Sequence, residues 1–275
     1  MTERMYPQII HAETLWQGGQ RHQACAALSS IALNTSGMWW ARLESLQVLA
    51  RLGLANEAIS IARTMLGELS TGHKEEKTRL EIAQLLAGLG ETREASALML
   101  AIVRGSYPIR GALEALATVG GLEEIASLSR DLSVDPDLRI RAASVLIRFG
   151  RLEEGKAILL ELANPTADMM KAVERYEEIR WSAAKALSQF PEHRPLVEQV
   201  WEEIARTEKH AKAYNMKVRK VAIQKLKENK QVRALLDIGF NRSTPPELRK
   251  AIATVLLELG HTRDAEAITR EIEPR

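Results

Sequence analysis

Asp135-Pro136-Asp137-Leu138-Arg139-Ile140-Arg141-Ala142-Ala143-Ser144-Val145-Leu146-Ile147-Arg148-Phe149-Gly150-Arg151-Leu152-Glu153-Glu154-Gly155 carries the architecture of this chain. After Arg139, small or aliphatic residues stand three, four and seven positions on, at Ala142, Ala143 and Leu146. Those offsets fall on one side of an α-helix. Gly150 suits the position just past a helix end, where the backbone takes positive φ. Glu153-Glu154 suit the first turn of a following helix, where the helix dipole favours negative charge. Ala157-Ile158-Leu159-Leu160-Glu161-Leu162 then continues as that second helix.

The same unit recurs in both directions. A glycine with a small residue five positions later appears as Gly19 to Ala24, Gly53 to Ala58, Gly90 to Ala95, Gly121 to Ala126, Gly150 to Gly155 and Gly260 to Ala265. Two degenerate units place Pro191 and Lys230 in the glycine position. The mean period is about 34 residues, inside the range of helical solenoids. Eleven residues before the turn stands an arginine in seven of the eight units: Arg42, Arg79, Arg110, Arg139, Arg180, Arg219 and Arg249. The first unit has Gln8 there, and the fourth places Glu114 in an apolar slot. Each unit is a helix, a tight turn and a helix, and neither helix buries its apolar stripe alone. Stacking of neighbours supplies the core, so aromatics amounting to 4% of the residues suffice.

Composition agrees. Ala, Leu, Glu, Lys and Arg account for 141 of 275 residues, a helix-rich signature when a 3.6-residue period accompanies it. The apolar runs are too short to span a bilayer. The start, Met1-Thr2-Glu3-Arg4, lacks the apolar segment of a secretion signal. The lone Cys25 excludes an intramolecular disulfide and a cysteine-rich zinc module. A cytoplasmic location is the expectation.

Asp135-Pro136-Asp137-Leu138-Arg139 with Ala142, Ala143 and Leu146, and Pro245-Pro246-Glu247-Leu248-Arg249 with Leu256, look like HEAT-type repeats. They are similar to the short HEAT-like units of bilin lyases and of the C-terminal arrays on NACHT-type ATPases. The Leu-Gly-x-x-x-Glu-Ala turns at 52–58 and 89–95 resemble tetratricopeptide turns, although the Trp and Tyr positions of that motif are not reproduced. The expected fold is all-α, a right-handed α-solenoid of about eight helix-turn-helix HEAT/TPR-like repeats over 1–275. Residues 1–36 form a cap-like repeat, 37–163 regular repeats, 164–234 longer irregular repeats with a basic segment, and 235–275 the last repeat and cap. By similarity to HEAT repeats, the arginine column forms a ladder at the start of every second helix, bonding acidic side chains or carbonyls of the adjacent unit. Asp135 and Asp137 near Arg139, Glu75 near Arg79 and Glu247 near Arg249 are the candidate acids. A ligand-facing stripe is the alternative for the column.

The formal net charge of +2 hides an uneven distribution. Between Arg206 and Arg233 ten basic residues face two acidic ones, a net of +8, while 1–204 carries −5 and 235–275 carries −1. The candidate macromolecule-binding residues are Arg206, Lys209, Lys212, Tyr214, Lys217, Lys220, Lys227 and Lys230. Val218, Val221, Ala222 and Leu226 are expected to form the buried stripe of this helix, with Lys217, Lys220 and Lys227 on another side. The repeat is also stretched here, with arginine spacings of 41 and 39. A solvated face, an acidic protein surface, nucleic-acid phosphates and an anionic lipid surface are the open readings.

Catalytic motifs are absent from the sequence: there is no phosphate-binding G-x-x-x-x-G-K-[ST], no G-x-G-x-x-G, no H-E-x-x-H and no G-x-S-x-G. The six histidines have no ligand spacing, and Cys25 reads as a packing residue. Trp39-Trp40 beside Arg42, and Trp181 beside Arg180, are core fillers, cation–π partners or a stacking site. No enzyme activity, cofactor, metal or small-molecule substrate is expected. The function read from this pattern is a non-catalytic interaction scaffold or adaptor binding a protein on its concave face. A nucleic-acid-binding solenoid using 206–233 is the alternative. A HEAT-repeat enzyme of lyase or glycosylase type is the second alternative.

Overall fold

A computed structural model describes the backbone of residues 7–70, 72–105, 109, 111–164, 176–206 and 213–272, and the same side chains except 176–177 and 213–215. Among these residues there are sixteen α-helices and no strand, so the expected all-α fold of tandem helical hairpins holds, consistent with the expected α-solenoid class. The helices are α1 (Pro7–Gln17), α2 (Arg21–Leu33), α3 (Trp39–Arg51), α4 (Ala55–Glu68), α5 (His73–Gly88), α6 (Thr92–Arg104), α7 (Ala112–Thr118) and α8 (Leu122–Arg130). They continue as α9 (Pro136–Arg148), α10 (Leu152–Ala163), α11 (Tyr176–Leu187), α12 (Arg194–Arg206), α13 (Ala213–Glu228), α14 (Val232–Phe240), α15 (Pro246–Glu258) and α16 (Thr262–Ile272).

The helices divide into two compact units, Met1–Ile125 and Ala126–Arg275, with the division inside α8. In the first unit α3 packs on α2, α4 and α5. In the second, α11 packs on α9, α10, α12 and α13. Contacts with the next helix and the next but one are the pattern of stacked hairpins. Each unit fills its interior with aliphatic side chains: Leu28, Leu46, Leu49, Met65 and Leu86 in the first, Leu146, Leu159, Leu187, Leu235 and Leu256 in the second.

The turns follow one hydrogen-bonding scheme. Gly150 (φ 91°) donates its N–H to the Ile147 carbonyl at 3.2 Å, and Arg151 donates to Leu146 at 2.8 Å. This pair of bonds satisfies two carbonyls that the helix end leaves open, and it needs a left-handed residue. Two turns differ from the sequence reading. In the fourth, the left-handed residue is Gly120 (φ 93°), one position before the expected Gly121. There α7 starts only at Ala112, after a left-handed Gly111 (φ 92°). Gly121 serves packing instead, because a Cβ there would lie 2.4 Å from the Leu116 side chain. At the sixth, Pro191 cannot adopt positive φ, and the chain passes through a short 3₁₀ turn, Pro191–His193.

Lys230 is left-handed at φ 55° and makes the same two bonds as the glycines, to Lys227 and from Gln231 to Leu226. A lysine in that conformation carries backbone strain that glycine does not. Lys230→Gly is expected to raise stability by roughly 0.5–1 kcal/mol after allowing for the looser unfolded chain. A lower melting temperature in a thermal denaturation series would contradict the strain at this turn.

Candidate interaction surface

The arginine column separates internal from external charge. Arg42, Arg139, Arg219 and Arg249 are buried, and Arg79 and Arg180 are nearly so. Arg139, 2% exposed, donates from Nε to the Ser129 carbonyl at 2.8 Å and from Nη2 to Glu161 at 2.9 Å. Arg42 does the same to Ala32 and Glu68, Arg180 to Ala163 and Glu203, and Arg249 to Gly239 and Glu271. Each carbonyl belongs to the last turn of the preceding helix, and each glutamate to the last turn of the following one. Two helix C-termini, both with open carbonyls and negative dipole ends, therefore meet on one guanidinium. At Glu203, burial acts to raise the carboxyl pKa, but hydrogen bonds from Arg180 and Gln199 prevail and hold it below its ordinary value.

The acidic partners are not the ones suggested by sequence proximity. Asp135 caps its own helix, accepting from the N–H groups of Asp137 and Leu138. Arg249 pairs with Glu271, and Arg79 pairs with Glu76 rather than Glu75. Helical side chains lean toward the N-terminus of their own helix. In an antiparallel hairpin, that end lies beside the C-terminus of the second helix. Arg79 also donates to Leu69, and Arg219 to Ala205. Arg110 lies outside the described residues. Trp39 lies over Arg42, ring centroid 4.4 Å from the guanidinium carbon.

The basic segment is less exposed than its net charge suggests. Arg219 is internal, Arg206 pairs with Glu202 and Asp237, Lys225 with Glu228, and Lys227 with Glu258 on α15. Lys217, Lys220 and Lys230 are exposed and have no ion-pair partner among the described residues. Lys209, Lys212 and the Tyr214 side chain fall outside the described residues. The buried stripe of α13 is Val218, Arg219, Ala222, Ile223 and Leu226. Val221, expected in that stripe, is 38% exposed. Burial of Arg219 and Ile223 rotates the packed arc away from Val221. Lys217, Lys220, Val221 and Gln224, at offsets of 0, 3, 4 and 7, then share the outward face.

Beside that face, within the second unit, is a groove of about 350 Å³ among α9, α11 and α13. Asp137, Glu178, Trp181, Ser182, Lys217, Val218 and Val221 line it. Asp137 and Glu178 each have an interaction within the protein. Trp181 is held by the buried Trp201, ring centroids 6.0 Å apart, rather than by Arg180. Sequence reading found Lys217 and Trp181 separately but not their meeting. The signal available was Val221, an apolar residue on the lysine side of α13.

The first unit has its own grooves, about 370 Å³ along α5 at His73, Lys77, Leu80 and Gln84, and about 310 Å³ between the start of α6 and the turn at Gly120. Trp40, 47% exposed, donates its indole N–H to Met38 sulfur at 3.1 Å. Among the described residues, no group of three or more His, Cys, Asp or Glu is placed to hold a metal ion, and no helix is long and apolar enough to cross a membrane.

Tandem hairpins, left-handed turns and arginines bridging successive helices define an all-helical repeat protein, consistent with the general HEAT/TPR-like kind. Searches among protein families, characterised proteins and solved structures return no match to the chain.

Proposed function

We propose that this protein is a non-catalytic, cytoplasmic interaction scaffold that binds a protein partner on the first-helix face of its second unit. The observation that carries this reading is the α9–α11–α13 groove. An indole, two valines and a serine form an apolar-to-polar surface, with charges of both signs at its rim. Such a mixture suits a protein side chain with its neighbouring polar groups. The likeness of residues 135–146 and 245–256 to short HEAT-like units supports the same role, as the recognition arm of a larger signalling or defence assembly.

Affinity capture under native conditions, with mass spectrometry and a nuclease-treated control, tests it. Wild-type protein is expected to retain nuclease-insensitive protein partners that a Ser182→Arg/Val221→Arg variant loses. Equal capture by the variant would remove the groove from the reading. Release by nuclease would move the function to nucleic acid.

A further inference from the structure

Resting on that reading, we infer that the partner contributes an acidic amphipathic segment. One bulky apolar side chain enters the groove between α11 and α13, and its carboxylates lie along Lys217 and Lys220.

Three observations converge on this chemistry. First, the protein neutralises Arg206, Lys225 and Lys227 with its own acids, whereas Lys217 and Lys220, on the exposed face of α13, have no ion-pair partner among the described residues. Spaced three apart, these two present their ammonium groups on the same side. Second, Val221 lines the groove together with Lys217. The equivalent position, two residues after the column arginine, is Arg141 on α9, Ser182 on α11 and Ala251 on α15. In the second unit α13 alone of these helices places a large apolar residue there, and it is 38% exposed. Third, Val221 continues into the apolar lining formed by Val218 and the Trp181 ring, whose position Trp201 fixes. A fixed aromatic wall beside a solvent-facing aliphatic side chain suits an anchoring side chain of a partner.

Charge beside the groove sets orientation. Asp137 and Glu178 line the groove on α9 and α11. Both acids are engaged within the protein, so among the described residues the uncompensated charge beside the groove is that of Lys217 and Lys220 on α13. The acidic face of the segment therefore lies over α13, and a basic segment is disfavoured along the lysine edge. Nucleic acid finds two lysines without an ion-pair partner among the described residues, beside a groove lined by an indole and two valines, a poorer match for a continuous row of phosphates.

The test is selection of displayed random peptides about 16 residues long, a length that spans one helical face. Wild-type protein is the target, with counter-selection on a Lys217→Glu/Lys220→Glu/Val221→Ser variant whose circular dichroism and melting are checked against wild type. Enriched sequences are expected to be net negative and to contain Leu, Phe or Trp. By fluorescence anisotropy they should bind the variant at least ~10-fold more weakly. Their binding to wild type should also loosen with added salt. Enrichment of neutral or basic peptides, or equal binding to the variant, overturns the inference. So does single-stranded oligouridine binding more tightly than the enriched peptides and losing affinity in the same variant. If protein capture by the groove persists while no acidic peptide emerges, the partner chemistry is wrong and the scaffold reading stands. If capture fails as well, the scaffold reading falls first.

Discussion

Arg139→Ala is expected to lower the free energy of unfolding by roughly 2–4 kcal/mol, measured by urea denaturation. The guanidinium satisfies the Ser129 carbonyl at the end of α8 and holds Glu161 at the end of α10. Removing it leaves a buried carbonyl without its donor and opens a void among three helices. Glu161→Gln should cost less than about 1 kcal/mol, because that side chain is half in water and screened. Arg139→Lys should recover less than half of the loss, since an ammonium does not reproduce the two-pronged reach of a guanidinium. Repeats depend on their neighbours, so the transition should also become less cooperative. A change within 0.5 kcal/mol of wild type, about the range of ordinary surface substitutions, would remove the column from the stability of the fold.

Gly155→Ala is the second large effect, and its sign runs against local propensity. In an isolated helix alanine gains about 1 kcal/mol over glycine. Here a Cβ would lie 2.6 Å from the Ala143 carbonyl oxygen and 2.6 Å from the Ile147 side chain. The first contact is backbone and does not move aside cheaply, so α10 must shift away from α9. The expected outcome is a net loss of roughly 1–3 kcal/mol. A raised melting temperature would show that α10 has room to adjust.

Much of the fold was legible because its cause is local. The offsets after Arg139, the turn at Gly150 and the acidic start of α10 each follow from backbone geometry and dipole, and they repeat often enough to expose the period. The misreadings also have physical causes. Gly120 and Gly121 are equivalent candidates for the left-handed residue in sequence, and only the end of α7 distinguishes them. The helical spacing of Val221 from Val218 predicts burial, yet Val221 faces solvent. The burial of Arg219, a charged residue, sets the rotation of α13. Sequence proximity points to acids beside the arginines, whereas Glu161 and Glu271, the partners of Arg139 and Arg249, lie 22 residues further along.

The candidate site was less legible for a related reason. Lys217, Trp181 and the acidic rim are each visible in the chain, but they come from three helices whose spacing is stretched between 164 and 176 and again between 207 and 216. The net charge of +8 counts ions without their pairing, and pairing depends on which helices become neighbours.

Period, handed turns and the apolar stripe are properties of short segments, so the order of residues alone sets them in this protein. Which lysines find an acidic neighbour, which glycine carries a close approach and which valine faces water follow from helix rotation and antiparallel docking. Those are set by contacts between residues distant in the chain, where packing and charge pairing act together.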